Sequence, residues 1–211
     1  MIFAFKRLFD IIFSLIFLVV FSPLYLILSM FIKFDSRGPI FFTQSRLGKN
    51  KVVFKIIKFR TMIVGAEEMQ QGIFNEEDDP RVTKIGNFLR RYSLDEIPQM
   101  FNVLIGNMSI VGPRPAVTYE LGNLDDLSEE FESRFTVKPG ITGLAQISGR
   151  NELSWDEKIN FDNKYINQLC AKGLIIDIKI IYATIWKVFL AEGSYEKRDN
   201  ISKDLKRINK Q

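Results

Sequence analysis

The sequence predicts a mainly α-helical protein with one small β-hairpin, in which an N-terminal membrane helix precedes a single compact domain. Three observations predict this class: a long uncharged segment near the N-terminus, several segments with helical periodicity, and only two neighbouring β-rich segments. The 211 residues suffice for one core, and a hydrophobic content of 46% excludes general disorder. We expect a membrane segment over residues 1–36, a globular domain over 37–193 and a polar tail over 194–211.

The N-terminal apolar segment covers residues 11–32 and contains no charged residue. As a straight helix it would be about 33 Å long, enough to cross a hydrocarbon core of about 30 Å. Ser22 and Pro23 lie at its midpoint and predict a kink, whose freed carbonyls could be satisfied by the hydroxyl of Ser22 or Ser29. Basic residues flank the segment on both sides, namely Lys6, Arg7, Lys33 and Arg37. Basic residues favour the cytoplasmic side, and only a re-entrant helix bent at Ser22 and Pro23 keeps both flanks there. The length of the segment favours a spanning helix instead, so both arrangements remain open.

Residues 40–46 and 52–62 are β-rich and are separated by a short turn containing Gly48, which predicts a hairpin close to the membrane. The surrounding stretch, residues 33–60, carries eight basic residues and a single acid, Asp35. A basic block beside an apolar segment favours contact with anionic lipid or phosphate ligands. Nucleic acid would suit the same charge, but the sequence contains no recognised nucleic-acid-binding motif, and we expect no nucleic-acid partner.

Helical patterns account for most of the remaining chain. They cover residues 67–71, 82–92, 97–105, 121–135, 155–169 and 174–188. In the last helix, apolar residues spaced by three and four predict one apolar stripe, made of Leu174, Ile178, Ile181, Ile185 and Val188. Two loops rich in glycine and proline, over residues 112–115 and 138–143, lie between these helices.

The absence of histidine restricts the chemistry that this sequence can perform. It excludes Ser-His-Asp triads, Cys-His dyads and zinc sites ligated by histidine. The single cysteine, Cys170, excludes an intrachain disulfide and fits a reducing compartment. Acid–base or nucleophilic work must therefore come from Asp, Glu, Lys, Tyr, Ser or Cys170.

The segment over residues 93–98 has two interpretations. In the first, Ser93 and Glu96 form a capping box at the start of a helix. In the second, the helix start keeps Asp95 and Glu96 ionised, so that one carboxylate attacks a substrate while the other holds Mg²⁺, a cation that prefers oxygen ligands and substrate phosphates. The residues by themselves leave open which acid has which role.

Two arginine motifs are placed where they could bind phosphate. Arg90 and Arg91 precede the acidic segment, with a solvated helix face as the alternative interpretation. Arg114 is flanked by two prolines, which restrict its backbone and pre-position a guanidinium able to bind phosphate in a bidentate manner. A rigid turn is the alternative for Arg114.

The later loops offer a second candidate phosphate site. Residues 138–143, together with 148–150 ending in Arg150, supply backbone N–H groups and a cation that could cradle phosphates. Plain turn chemistry is the alternative. Asp156 and Asp162 follow on a predicted helix, where solvated acids are the default interpretation.

Seven stretches carry a family resemblance. They are residues 6–10, 22–23, 38–48, 54–62, 94–104, 107–115 and 138–146. In this order they closely resemble the bacterial sugar transferase family, the small monotopic phosphoglycosyl transferases that start glycan assembly on polyprenyl phosphate. One stretch alone is weakly specific, whereas the ordered set, covering the chain to about residue 188, is highly specific. Larger members carry extra N-terminal membrane helices, so this sequence resembles their minimal catalytic unit.

The resemblance implies a re-entrant helix bent at Ser22 and Pro23, with the domain over 37–193 catalytic and on the cytoplasmic face of the bacterial inner membrane. It implies that Asp95 is the nucleophile and Glu96 its partner acid, with Mg²⁺ as cofactor. It also places four further residues around the active site, namely Lys58, Arg90, Arg114 and Asp162.

The implied reaction moves a sugar 1-phosphate from a UDP-sugar to polyprenyl (undecaprenyl) phosphate and releases UMP. Asp95 would attack the β-phosphorus, and the lipid phosphate would then attack the phospho-aspartyl sugar; direct transfer in a ternary complex is the alternative route. A non-enzymatic adaptor that binds anionic lipid through the basic block, and a membrane-tethered nucleic-acid binder, are the rival functions. We expect an N-acetylated amino sugar as cargo, and a homodimer is compatible with the sequence.

Overall fold

The computed structural model describes residues 2–66, 69, 79–118, 121, 127–149 and 152–190, and within them the predicted mainly helical class is confirmed. The helices are α1 (Ile2–Val20), α2 (Ser22–Asp35), α3 (Lys84–Arg91), α4 (Gln99–Ile105), α5 (Glu129–Glu132), α6 (Leu144–Ser148), α7 (Trp155–Lys172) and α8 (Ile175–Leu190). The strands are β1 (Phe41–Leu47), β2 (Val53–Phe59), β3 (Ser109–Val111) and β4 (Gly140–Thr142).

Some predicted segments are shortened or fall outside the described residues. Of the helix predicted over 121–135, residues 121 and 127–135 are described, and the helical part consists of α5 and a 3₁₀ turn, Ser133–Thr136. Residues 194–211, Arg150 and, apart from Met69, the helix predicted over 67–71 lie outside the described residues.

Strands β1 and β2 form the predicted hairpin. They pair antiparallel from Phe41 opposite Phe59 to Leu47 opposite Val53. The connecting turn contains Asn50 with a φ of 55°, in the left-handed region that asparagine tolerates better than most residues. Because successive strand residues project to opposite faces, this register fixes the face on which each β2 side chain lies.

Strands β3 and β4 form a second, parallel sheet that the sequence analysis did not predict. The amide of Gly112 donates to the carbonyl of Thr142 at 2.8 Å, and the amide of Gly140 donates to the carbonyl of Pro113 at 2.9 Å. A Cβ atom on Gly140 would lie 2.0 Å from the Gly112 nitrogen, so this approach requires glycine. The expectation that loop 138–143 offers its amides to phosphate is therefore wrong for Gly140, whose amide joins the two loops.

Helices α1 and α2 meet at Phe21, so the chain bends where Ser22 and Pro23 predict a kink. The bend is 61°, and Ser22 Oγ donates to the carbonyl of Val19 at 2.8 Å. This bond satisfies a carbonyl near the break, as predicted for the Ser22 hydroxyl. Among the described helices none alone is long and apolar enough to cross a bilayer, whereas α1 and α2 qualify by length and composition as a bent pair.

Polar side chains fasten α1 to the rest of the protein. Lys6 is buried, and its Nζ lies 2.5 Å from Oδ2 of Asp177 in α8. The hydroxyl of Tyr165 donates to Oδ1 of the same carboxylate at 2.9 Å. One turn further along α1, Oδ1 of Asp10 accepts from the amide of Ile110 at 3.1 Å. Because breaking a buried ion pair leaves an uncompensated charge, at a typical cost of about 3–5 kcal/mol, these contacts hold α1 firmly on the domain.

Helix α2 packs on the same domain through apolar side chains and its C-terminus. Leu28 and Ile32 are buried in a cluster with Phe59, the last residue of β2. Nη2 of Arg60 donates to the carbonyl of Ser36 at 2.8 Å and to that of Ile32 at 3.3 Å. A cation stabilises a helix C-terminus because the last carbonyls there have no helical partner. Both arms of the bent pair therefore rest on one domain.

Helix α8 leaves part of its predicted apolar stripe exposed. Ile178 and Ile185 are 58% and 62% exposed, whereas Asp177 and Ile180 are buried. The contact between Lys6 and Asp177 orients the helix, because a buried carboxylate must face its partner. Helix α8 therefore presents apolar side chains of this stripe to the exterior.

A buried contact between Arg134 and Asp162 lies beside α7. Arg134 lies among aromatic rings, with its Cζ 5.0 Å from the centroid of Trp155. Its Nη2 lies 3.2 Å from Oδ2 of Asp162. Asp162 is only 2% exposed, so its interpretation as a solvated acid is wrong. Burial raises the pKa of Asp162 to about 6, although Arg134 and Lys158 act in the opposite direction.

We expect the effect of Asp162→Asn on stability to depend on pH. Because the pKa of Asp162 is raised from 3.8 to about 6 on folding, the folded protein keeps a proton between these values that the unfolded chain has lost. The free energy of unfolding of the wild type should therefore fall relative to the variant by up to about 3 kcal/mol as the pH rises from about 4 to about 6.5.

Thermal unfolding of both proteins between pH 4 and pH 8 measures this difference. At the acidic end the protonated carboxyl and the amide should give similar stabilities. Asp156→Asn, at an exposed acid in the first turn of α7, is the matched control and should follow the wild type throughout. A difference between wild type and Asp162→Asn that stays constant with pH would contradict the assignment.

Candidate active site

Asp95 and Glu96 lie together in one 3₁₀ turn, Leu94–Glu96, which precedes α4. Both are buried, with exposures of 8% and 7%. Ser93 has a φ of 55° and makes no side-chain cap bond, so the capping-box interpretation is wrong. Helix α4 begins only at Gln99, and the two acids therefore lie before the helix and not in its first turn. A left-handed φ is uncommon for serine, so the surrounding contacts must hold this turn in place.

Strand β2 brings Lys58 to the acidic turn, and Asn102 of α4 fixes the strand. The buried side chain of Asn102 accepts from the amide of Ile57 at 2.9 Å and donates to the carbonyl of Lys55 at 2.8 Å. Because these bonds join β2 to the helix that follows the acids, they set the position of Lys58 relative to the turn.

Lys58 and Arg114 converge on the carboxylate of Glu96. Lys58 Nζ lies 2.8 Å from Glu96 Oε1 and 3.8 Å from Asp95 Oδ2. Nη2 of Arg114 lies 3.0 Å from Oε1 of Glu96, and its Nη1 lies 3.5 Å from Oε2. The bidentate contact predicted for Arg114 is thus made here to a carboxylate. The four predicted residues form one ionic cluster.

The cluster is shielded from solvent on one side and open on the other. The side chains of Lys58 and Glu96 are 15% and 10% exposed, whereas that of Arg114 is 36% exposed. Burial lowers the pKa of the Lys58 ammonium, while the carboxylates of Glu96 and Asp95 oppose that change. The guanidinium of Arg114 can therefore reach a ligand at the surface while it contacts Glu96.

The loop carrying Arg114 is fixed through its carbonyls. The carbonyl of Arg114 accepts from Nη2 of Arg134 at 2.7 Å, and that of Pro115 accepts from Nη1 of Arg46 at 3.0 Å. The preceding carbonyl, of Pro113, is held by strand β4. With its φ values restricted by two prolines and three successive carbonyls bonded, the loop is rigid before any ligand binds.

The other predicted site residues have different contacts. Arg90 donates through Nε to Oγ1 of Thr61 at 2.9 Å, which ties α3 to the segment following β2. Asp162 is connected to the cluster only indirectly. It pairs with Arg134, which donates to the carbonyl of Arg114. Arg150 is not among the described residues.

Cations of the basic block act largely within the protein. Arg60 binds the C-terminus of α2, Arg46 bonds to the Arg114 loop, and Lys58 belongs to the ionic cluster. Lys51 lies 2.5 Å from Oε1 of Glu132. Lys33 donates to the carbonyl of Gly38 at 2.8 Å. More than half of the eight basic residues thus have specific internal partners, which is unlike a surface that binds polyanions through unpaired charge.

Sequence reasoning missed Arg134 and Asn102 as residues that support the site. Arg134 follows an acidic segment, where a charged side chain suggests a solvated helix face, and only the three-dimensional structure brings aromatic rings around it. Asn102 lies within one of the stretches that carry the family resemblance, and a polar residue in an apolar helix is a usable signal for a buried hydrogen bond.

Comparison with known proteins identifies the family. The model of the family described as bacterial sugar transferase matches residues 1–191. The exopolysaccharide production protein ExoY of Sinorhizobium fredii is 41% identical, with 90% of this chain and 88% of the relative covered. The UDP-glucose:undecaprenyl-phosphate glucose-1-phosphate transferase of Escherichia coli is 42% identical, and the undecaprenyl-phosphate galactose phosphotransferase of Salmonella typhimurium 37%; each match covers 90% of this chain but 41% of the relative. This chain belongs to the bacterial sugar transferase family.

Proposed function

We propose that this protein transfers a sugar 1-phosphate from a UDP-sugar to undecaprenyl phosphate and releases UMP, as the first membrane step of a bacterial glycan assembly. The observation that carries the proposal is the cluster of Lys58, Asp95, Glu96 and Arg114, built on a turn that packs against α2. The names of the longer relatives support the reaction, since one describes a glucose-1-phosphate transferase and the other a galactose phosphotransferase, both acting with undecaprenyl phosphate.

The electrostatics of the cluster suit two phosphate substrates. A diphosphate entering beside Asp95 would bring negative charge next to Lys58 and Arg114, which would offset charge on the transferring phosphoryl group. Arg114 is suited to a bidentate contact with phosphate, because both terminal nitrogens of its guanidinium already face the carboxylate oxygens of Glu96. The rigid loop that carries it reduces the entropy lost when the substrate is bound.

The reaction proceeds in two displacements in our proposal. A carboxylate oxygen of Asp95 attacks the β-phosphorus, a bond to that phosphorus forms, and the bond to the bridging oxygen breaks as UMP leaves. An oxygen of undecaprenyl phosphate then attacks the same phosphorus and releases Asp95. Glu96 is the less suitable nucleophile, because its carboxylate forms ion pairs with Lys58 and Arg114, which lower its nucleophilicity. Direct transfer in a ternary complex is the alternative route.

The two acids also fit a magnesium ion that arrives with the substrate. Among the residues that the structure describes, no group of three or more acidic or sulfur side chains is arranged to hold a metal. Mg²⁺ commonly uses one or two carboxylates together with substrate phosphates, and the adjacent Asp95 and Glu96 match that donor set. When bound, the ion would neutralise charge on the diphosphate. A purely adaptor function is less well supported, because it gives no reason for this buried cluster.

We infer further that α1 and α2 enter and leave the bilayer on its cytoplasmic side. Each arm has a face buried against the same domain, through Lys6 and Asp10 on α1 and through Leu28 on α2, and that domain cannot enter hydrocarbon. The outer faces near the bend carry exposed apolar side chains, namely Leu15, Ile16, Val19, Val20, Leu26 and Ile27. Helices α1 and α2 would thus form a shallow wedge in one leaflet, which would keep the catalytic turn at the level of the lipid phosphates.

The outward face of α8 supports the same orientation. Its exposed apolar residues are Ile178, Tyr182, Ile185, Trp186 and Phe189, with exposures between 58% and 79%. Tryptophan and tyrosine are typical of the membrane–water interface. Because α8 is held against α1 through Asp177, we propose that it lies on the bilayer surface beside the wedge.

We expect steady-state turnover, measured as continuous UMP release, to require both a UDP-sugar and undecaprenyl phosphate. The protein in lipid nanodiscs with Mg²⁺ is assayed with UDP-glucose, UDP-galactose and UDP-N-acetylglucosamine. Asp95→Asn keeps the shape of the side chain but removes its anionic oxygen, so turnover should fall by at least about a thousandfold. Asp156→Asn, an exposed acid away from the cluster, is the matched control and should stay near the wild-type rate. Turnover by Asp95→Asn within tenfold of wild type would contradict the proposed role.

Cysteine labelling tests the topology. In a Cys170→Ser background, which removes the one native thiol, cysteines replacing Phe5 and Ser36 should both resist an impermeant maleimide in spheroplasts and react after lysis. Pro23→Ala should relieve the bend and allow part of the population to span. Labelling at position 5 alone in intact spheroplasts would mean that the helix crosses the membrane.

A further inference from the structure

Tyr25 connects the membrane-facing helix α2 to the turn that carries the two acids. It lies two residues after Pro23, and its hydroxyl donates to the carbonyl of Ile97 at 2.7 Å. Ile97 directly follows Glu96 and ends the 3₁₀ turn. A residue at the start of the second arm thus holds the backbone immediately beside the catalytic acids.

The ring of Tyr25 contacts both elements that flank the turn. Its centroid lies 5.5 Å from that of Phe59, which follows Lys58 in β2, and 6.1 Å from that of Phe101 in α4. The strand that carries Lys58 and the helix that follows the acids therefore meet at this ring. Aromatic packing at these separations is favourable and restricts rotation of the tyrosine, so the hydroxyl is presented in a fixed direction.

The turn requires such external support. It follows Ser93, which has a left-handed conformation and no side-chain cap bond, and its C-cap residue Ile97 precedes Pro98, which has no amide hydrogen. Within the turn, the amide of Glu96 bonds to the carbonyl of Ser93 at 3.2 Å and that of Ile97 to Leu94 at 3.3 Å, both near the long end of the range. The short bond from Tyr25 is a stronger restraint on this segment.

We propose that Tyr25 is a positioning residue for Asp95 and Glu96, and that through it the seating of α2 in the bilayer sets the geometry of the catalytic turn. The inference rests on the proposed transferase function. In this proposal Tyr25 acts through the backbone of Ile97 and not on the substrate itself, so it should affect the chemical step and leave the binding of the UDP-sugar unchanged.

Tyr25→Phe removes the hydroxyl and keeps the ring, which makes it the deciding variant. In nanodiscs with undecaprenyl phosphate and Mg²⁺, kcat for UMP release should fall about three- to tenfold, the effect of one lost hydrogen bond. The KM for the UDP-sugar should stay within about twofold and the Tm within about 2 °C of wild type, because ring packing is preserved. Ser29→Ala is the control, since the Ser29 hydroxyl bonds to the carbonyl of Tyr25 within α2 and should leave kcat unchanged.

Hydrogen–deuterium exchange gives a readout that does not depend on activity. Amides over residues 94–101 should exchange faster in Tyr25→Phe than in wild type, while those of β2, Val53–Phe59, should be unaffected. An unchanged kcat with unchanged exchange would overturn the proposal, as would a rise in KM that accounts for the lost activity. Faster exchange in both segments would mean general loosening and would also overturn it. Absence of UMP release by the wild type would instead refute the proposed function, and the exchange comparison would still test Tyr25.

Discussion

The carboxylate of Glu96 is the contact on which the candidate site depends, because it joins three segments that are distant in sequence. Lys58 reaches it from the hairpin and Arg114 from the loop after β3, at 2.8 Å and 3.0 Å. Removing the carboxylate would leave Lys58 as a buried ammonium with a weaker partner, and such losses typically cost about 3–5 kcal/mol. Each segment is fixed in addition by its own backbone bonds, through Asn102 for the hairpin and Arg134 for the loop. The charges are therefore placed before a substrate arrives, which is the condition for electrostatic catalysis.

A second set of contacts places this site beside the bent helix pair α1 and α2. Buried polar bonds hold α1 on the domain through Lys6 and Asp10, and apolar packing with the Arg60 contacts holds α2. The proposed acceptor is a lipid whose phosphate remains at the interface, so a catalytic turn packed directly on the second arm needs no large movement to meet it. A domain attached by a flexible linker would have to search for that phosphate at every turnover. Close packing of the wedge thus favours positioning over mobility.

Much of this architecture could be predicted from local sequence signals. The hairpin, the break at Ser22 and Pro23 and the boundaries of the late helices follow from periodicity and from turn residues. The conformation of the acidic turn could not be predicted in this way. The spacing of Ser93 and Glu96 fits a capping box, whereas in the structure Glu96 contacts Lys58 and Arg114 and lies before the helix start. The burial of Asp162 and the orientation of α8 depend on partners far away in sequence, Arg134 and Lys6, which no local pattern specifies. The sequence resemblance pointed to Lys58, Asp95, Glu96 and Arg114 as candidates, and the structure shows how these four residues are supported.

A single-turnover experiment without the lipid acceptor tests the central claim, that the cluster activates Asp95 as a nucleophile. The protein in nanodiscs free of undecaprenyl phosphate is mixed with UDP-sugar and Mg²⁺, and the products are quenched and measured by chromatography and peptide mass spectrometry. We predict a burst approaching one UMP per active site and a sugar-phosphate adduct on the peptide containing Asp95, both absent from Asp95→Asn. A wild-type protein that shows neither burst nor adduct, yet turns over once undecaprenyl phosphate is added, would contradict the account and establish direct transfer.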